Sequence, residues 1–296
     1  MRGIIVYEPD AASQQKWYIN EYIKNMAALG HELELVTTKA LADMESEGVP
    51  ADFAVIRTMD PGVSSGLEKS GIRCFNGSLA GSLSADKGKA YDFVGEKTEV
   101  PFMPLMQTPH YPLVLKKRFC HGGRDVHYIS DGRQLDRLTS TGLHNFIMQQ
   151  PCDTPGIDVR VYILGGRIRA AMKRINPLAR DMAADYSEKF RSNFCLGGKA
   201  EVYDVDSDRE MKDYVNQILA KLPLDFGGLD FIFHGGHPVF NEIESVAGAR
   251  MLYAYTDIDI VKEYCHYISE SLKKSRLRDR LKCRYCVAGR ERNEDE

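Results

Sequence analysis

Gly227-Gly228-Leu229-Asp230-Phe231-Ile232-Phe233 and Pro238-Val239-Phe240-Asn241-Glu242-Ile243-Glu244 decide the reading of this chain. Between them, His234-Gly235-Gly236-His237 is a turn signal flanked by apolar runs, so the stretch predicts a β-hairpin. A loop centred on Gly236 sets Asp230 opposite Glu242. Glu244 follows two residues on and points to the same side of the sheet. Three carboxylates on one face repel each other unless cations neutralise them. Hard oxygen ligands, few in number, suit Mg²⁺ that also holds phosphate oxygens, rather than a closed protein cage. The hairpin therefore predicts a nucleotide–magnesium enzyme.

The chain has 296 residues, enough for two domains or for one domain with subdomains. A hydrophobic fraction of 43% predicts a sizeable core, and a net charge of −3 gives no global drive towards nucleic acid or an anionic membrane. The apolar run at the start is too short for a signal peptide, and no run reaches the length of a membrane span. Seven cysteines, an odd number scattered along the chain, do not resemble a disulfide framework. A reducing cytoplasm is the expected location.

The first part of the chain alternates strand and helix. Strand patterns cover Ile4 to Tyr7, Glu32 to Thr38, Asp52 to Thr58 and Ile72 to Asn76. Helical spacings run from Ser13 to Leu29 and from Leu41 to Glu47, and Pro61 opens another helix. This rhythm predicts a small parallel sheet with helices packed on it. The turn after the first strand, Glu8-Pro9-Asp10-Ala11-Ala12, lacks the glycines of a dinucleotide fold. A nicotinamide-dependent oxidoreductase is excluded on that ground.

Further on, a helix is expected from Ser84 to Lys97, then a proline-rich connection through Pro112. Leu113 to Lys116 reads as a strand entering His121-Gly122-Gly123-Arg124, and Val126 to Ile129 as the strand leaving it. Ile157 to Leu164 and Arg167 to Met172 form a second hairpin across Gly165-Gly166. Ser207 and Glu210 read as a capping box for a helix to about Lys221. A last helix runs from Asp257 to Lys274, followed by a charged tail.

A second constellation lies upstream of the carboxylates: Asp158-Val159-Arg160, then Arg174, then Phe190-Arg191-Ser192-Asn193 with Gly197-Gly198. Each guanidinium can bind two phosphoryl oxygens at once. Taken singly, each arginine also fits a solvated strand residue. In order along the chain come lysine before a Gly-rich loop, Asp-x-Arg, Arg-Ser-Asn with Gly-Gly, Gly-x-Asp, and Glu-x-Glu followed by Gly. Over roughly Ser82 to Ala254 this order resembles the ATP-grasp ligases, and most closely their RimK-type and glutathione-synthetase-type members.

The resemblance implies an α/β chain, α+β in its C-terminal part: an ATP-grasp fold preceded by a small βαβ parallel-sheet domain. The expected boundaries are 1–81 for the N-terminal domain, 82–151 for the central subdomain with the phosphate loop, 152–282 for the C-terminal subdomain, and 283–296 for a mobile tail. It further implies an ADP-forming ligase that joins a carboxylate to an amine through an acyl phosphate. Asp230, Glu242 and Glu244 would hold two Mg²⁺ ions, with Mn²⁺ as the alternative. Lys87, Lys116, Gly122, Gly123, Gln150, Cys152 and Asp158 would bind ATP, with Lys89 able to replace Lys87. Arg160 and Arg191 would stabilise the acyl phosphate and oxyanion, with Asn193 orienting them and Arg174 facing a substrate carboxylate. Partners would be ATP and carboxylate and amine substrates (an amino acid, a peptide or a protein terminus), with neither nucleic acid nor membrane involved. Family members are often homo-oligomers, although no signature of that appears here.

Two departures stand out. Glu244 occupies a position where such enzymes commonly have Asn, and Cys120 and Asp125 stand where the loop usually has glycine. The irregular loop alone supports a second reading, a nucleotide-binding regulatory or scaffold protein without turnover. Arg124, Arg160, Arg167, Arg174 and Arg180 suggest an anionic donor or acceptor. Cys283-Arg284-Tyr285-Cys286 has no second pair to complete a zinc site, so it reads as a helix-end pair.

Overall fold

The computed structural model describes residues 1–44, 48–120, 125–140, 142–179, 181, 184–192 and 197–290, with the backbone only for 189 and 278–290. Gly122, Gly123 and Asn193, singled out above, lie outside the described residues, as do Arg124, Arg180 and residues 291–296.

The chain opens with β1 (Arg2–Tyr7), α1 (Pro9–Gln14), α2 (Lys16–Ala28), β2 (Glu32–Thr37), α3 (Thr38–Met44), β3 (Phe53–Ile56), α4 (Pro61–Lys69) and β4 (Arg73–Phe75). These strands form a parallel sheet in the order β2-β1-β3-β4. The apolar run from Ser13 to Leu29 does not make one helix: α1 begins earlier, at Pro9, and ends at Gln14, with Gln15 between it and α2. Proline at the first helical position favours that earlier start. Strand residues alternate between two cores. Ile4, Val6, Ala54 and Ile56 pack with Leu41, Val63 and Leu67, while Ile5, Phe53 and Val55 pack with α2.

Next come α5 (Ser78–Ala85), α6 (Lys87–Lys97), β5 (Leu113–Lys117), β6 (Val126–Ile129), α7 (Gly132–Leu138) and β7 (Phe146–Gln149). Asp86 caps α6, accepting from the backbone N–H groups of Gly88 and Lys89, and so starts the helix at Lys87. Strands β6-β5-β7 form a three-stranded antiparallel sheet over a small core of Leu113, Leu115, Ile129, Leu135 and Met148.

The remainder holds β8 (Ile157–Leu164), β9 (Arg167–Ile175), α8 (Tyr186–Lys189), β10 (Lys199–Val202), α9 (Arg209–Leu219), β11 (Phe226–His234), β12 (His237–Glu244), α10 (Arg250–Tyr255) and α11 (Ile260–Arg290). The strands form a five-stranded sheet in the order β10-β9-β8-β11-β12. Period-two alternation sends Val159, Val161, Leu229 and Phe231 into a core with Met211, Val215 and Ile218 of α9. Each such fully buried side chain contributes about 1.5–3 kcal/mol. The opposite face carries Asp158, Arg160 and Asp230, with Arg160 and Asp230 in register across β8 and β11.

Two further expectations need correction. The cap of α9 is Asp208, accepting from Met211 N at 3.0 Å, rather than Ser207, whose hydroxyl turns back to Asp204 O. The last helix continues through Arg290, well past Lys274, because Arg, Leu and Lys in that stretch are good helix formers. Cys283 and Cys286 lie within it.

Candidate active site

The site is built between the three-stranded sheet and the charged face of the five-stranded sheet. One cavity there is lined by Lys87, Lys116, Gln150, Cys152, Asp158, Arg174, Arg191, Asp230 and Glu242. These nine were named as site residues from the sequence; Tyr186, Ser192 and Asn241, which also line the cavity, were not. Arg160 and Glu244 belong to the same ionic array, set behind Asp230.

The β11–β12 hairpin turns on Gly235 and Gly236, both with positive φ (60° and 82°), which a two-residue turn of this hand requires. His234 pairs with His237, so an unbroken ladder would set Asp230 against Asn241. A bulge corrects this: Phe231 pairs with Phe240, Asn241 is the extra residue, and Asp230 pairs with Glu242. The expected juxtaposition is present, though its cause is a turn plus a bulge rather than a longer loop.

The cations that neutralise these carboxylates are side chains. Arg160 grips Asp230 with two bonds, Nε to Oδ1 at 2.8 Å and Nη2 to Oδ2 at 2.7 Å, and its Nη1 reaches Glu244 Oε2 at 2.7 Å. Arg174 binds Asp158 through Nε at 2.5 Å and Nη2 at 2.9 Å, and its Nη2 also reaches Asp230 Oδ2 at 2.6 Å. Ser192 Oγ donates to Asp158 as well. Register makes these pairs: Asp230 lies opposite Arg160 across β11 and β8, and Asp158 opposite Arg174 across β8 and β9. Gly228 carries no Cβ, and one built there would stand 3.2 Å from Arg160 Cδ, so the guanidinium stem passes over it.

Burial tends to raise the pKa of Asp230, but Arg160 and Arg174 outweigh it and hold the carboxyl at about 2. Burial pushes Asp158 up despite Arg174, with the Asp230 charge adding to the rise. Glu244 is also pushed up by burial; Arg160 opposes this, while the charges of Glu242 and Asp230 reinforce it.

Lys87 Nζ donates to Glu242 Oε1 at 2.6 Å and to Cys120 O at 2.6 Å. Lys89 is exposed, which settles the choice between the two lysines in favour of Lys87 as the one facing the cavity. Lys116 is only 7% exposed, yet its ammonium contacts are neutral: Asn241 Oδ1 at 2.7 Å and the Tyr91 hydroxyl at 3.0 Å. Gln150 donates its backbone N–H to Pro104 O, and Cys152 O accepts from the Tyr186 hydroxyl at 2.9 Å. Tyr186 in turn stacks on Tyr128 of β6, with centroids 4.6 Å apart, joining α8 to the three-stranded sheet. Arg191 is exposed on the rim, with its guanidinium over the Phe190 ring. Arg167 is elsewhere, in a groove with Asp204 and Asp206, so it does not add to the cationic character of this site.

Asn241, Tyr91, Ser192 and Tyr186 were missed in the sequence. A bulge leaves no mark in a period-two pattern, so Asn241 had no signal. Tyr91 did have one, being four residues after Lys87 on the same helix face.

Among the described residues no group of three His, Cys, Asp or Glu side chains could enclose a metal by itself. Glu242 nevertheless offers hard oxygens at the cavity, with Glu244 two residues further along the same strand, and Mg²⁺ is commonly held by one or two carboxylates plus phosphate oxygens. That donor set fits an ion brought in with a nucleotide.

Two sheets clasping a cavity that carries both a lysine pair and a carboxylate cluster define a nucleotide-binding grasp. The chain belongs to the RimK-like ATP-grasp domain family, whose model matches residues 94–268. It is 28% identical over 166 residues to an uncharacterised protein of Mycoplasma genitalium, covering 55% of this chain and 54% of that one. It is 26% identical over 239 residues to a probable alpha-L-glutamate ligase 2 of Hahella chejuensis, covering 74% of each. The chain spans about half the length of the first curated relatives it matches. The structure of D-alanine–D-alanine ligase from Bacillus anthracis complexed with ATP superposes with a TM-score of 0.66 at 15% identity, over 92% of this chain and 98% of that chain. This likeness establishes the ATP-grasp fold. Among the described residues no helix is long and apolar enough to cross a membrane.

Proposed function

We propose that this protein is an ATP-dependent ligase that joins a carboxylate to an amine through an acyl phosphate, releasing ADP and phosphate in the cytoplasm. The observation that carries the reading is Lys116. A buried ammonium whose hydrogen bonds, among the described residues, go to neutral oxygens is costly unless an anion meets it, and the cavity beside it is where a polyphosphate would lie. Lys87, held by Glu242, supplies a second cation on the same wall. Glu242 and Glu244 are the proposed ligands for Mg²⁺, which when bound offsets the charge of the phosphates.

Asp230 has a different part in this account. Its oxygens accept from Arg160 and Arg174, so it fixes two guanidiniums in position. Arg174, which lines the cavity, then stabilises negative charge developing on a transferred phosphoryl group and on the tetrahedral oxyanion, while Arg160 holds Asp230 and Glu244 in place behind it. Arg191, on the rim, meets the incoming carboxylate. Little covalent chemistry is asked of the protein, since phosphoryl transfer depends mainly on position and charge. A substrate that is an amino acid or peptide, glutamate among them, agrees with the name of the Hahella relative.

The test is a panel of amino acids and peptides with ATP and Mg²⁺, read as amine-dependent release of ADP and phosphate. Glu242→Gln is expected to abolish it, whereas release of AMP and diphosphate would contradict the mechanism. One observation favours binding without turnover: Asp230 is already saturated by guanidiniums. Tight ATP binding with no ADP from any pair would support that second reading.

A further inference from the structure

After Glu244 the chain leaves the sheet, and side chains from the N-terminal part of the molecule hold its backbone. Asn76, just past β4 and 3% exposed, uses its whole amide there. Its Nδ2 donates to Phe226 O at 2.6 Å and to Ser245 O at 2.8 Å. Its Oδ1 accepts from Asp225 N at 2.7 Å and from Phe226 N at 3.0 Å. Ser84 Oγ, on α5, accepts from Ser245 N at 2.9 Å. Both backbone groups of the residue after Glu244 are therefore tied to the N-terminal part. Arg57, following β3, adds a bond from Nη2 to Ala247 O at 3.1 Å.

Placement gives these bonds their meaning. The β11–β12 hairpin is closed at one end by Gly235-Gly236 and open at the other, where Gly228 pairs with Glu244. Asn76 spans that open end, bonding the start of β11 and the exit of β12 with a single planar group. Two donors and two acceptors on one amide fix rotation as well as distance. Glu244, one residue away, has its carboxylate against Arg160, and Glu242 on the same strand has its own against Lys87.

We propose that Asn76, supported by Ser84, is a positioning residue: it fixes the open end of the hairpin so that Glu244 and Glu242 stay in register with Arg160 and Lys87. The parallel sheet then acts on the site through a buried amide rather than as a neighbouring domain only. What Glu244 would bind rests on the ligase reading above; the positioning itself does not.

Two measurements on the full chain test this separately. In hydrogen exchange, Asn76→Ala is expected to speed exchange at the Asp225 and Phe226 amides it holds, and at Ser245 whose carbonyl it holds, at least about tenfold, with central β8 unchanged. Ser84→Ala, which removes one acceptor and keeps the fold, is expected to raise exchange at Ser245 alone. If those amides keep their wild-type rates in both variants, the proposal is overturned. In the second measurement, Mg²⁺ is titrated calorimetrically into protein saturated with a non-hydrolysable ATP analogue. Asn76→Ala is expected to weaken Mg²⁺ about tenfold, as loss of an outer support does, without altering metal-free analogue affinity. Adding Glu244→Gln should weaken it no further than Glu244→Gln alone. An equal loss of metal-free affinity, or additive losses, would show a merely structural role. Wild-type protein showing no Mg²⁺-dependent analogue binding would count against the ligase reading, while the exchange rates would still decide the positioning.

Discussion

The hairpins β8–β9 and β11–β12 are built alike and used oppositely. Each turns on two glycines with positive φ, each carries one bulge, and they lie side by side through the β8–β11 pairing. The first supplies the guanidiniums, Arg160 and Arg174, and the second supplies Asp230, Glu242 and Glu244. Their bulged residues also diverge. Asn241 reaches the cavity and Lys116, whereas Arg169, the extra residue between Tyr162/Ala170 and Ile163/Ile168, reaches out to Glu263 on α11. The same local device thus serves chemistry in one hairpin and docking in the other, depending on which face the register presents.

The largest expected effect comes from breaking the bridge between the hairpins. Asp230→Ala would leave two buried guanidiniums short of a partner and should destabilise the fold by about 3–5 kcal/mol, measured by denaturant unfolding. Acid offers a gentler way to remove the same charge. The folded Asp230 carboxyl, at about 2, lies below the unfolded range near about 4. Its contribution, on the order of 2 kcal/mol, is therefore fully present above about pH 4 and lost as pH falls towards 2. Stability curves of wild type and Asp230→Asn should converge over that interval.

The bulges sharpen the comparison further. Asn241→Ala removes a neutral partner of Lys116 and should weaken binding of an ATP analogue about tenfold, by calorimetry, since bonds to charged groups are worth about 1.5–3 kcal/mol. Arg169→Ala breaks a half-exposed pair and should cost at most about 1 kcal/mol, with analogue affinity unchanged.

Much of this was legible before the fold was known. The Gly-Gly turn and the alternating apolar residues announce the second hairpin, and motif order brings Lys87, Lys116, Asp158, Arg160, Arg174 and Asp230 to one region. What periodicity cannot carry is the partner across a strand pair that is distant in sequence. Arg160 faces Asp230 through a register between β8 and β11 that no local pattern encodes. The carboxylates therefore read as repelling one another until cations arrive, whereas the fold already supplies three. Asn76 escaped for the same reason, as its four backbone partners lie about 150 positions away.

The central claim is that the cavity between the two sheets receives a Mg²⁺-bound triphosphate against Lys116. Calorimetric titration of a non-hydrolysable ATP analogue with Mg²⁺ into wild type and Lys116→Met tests it directly. The account predicts saturable 1:1 binding to wild type, weakened about a hundredfold in Lys116→Met with no loss of thermal stability. Equal affinity in the two proteins, or heat from neither, would contradict it.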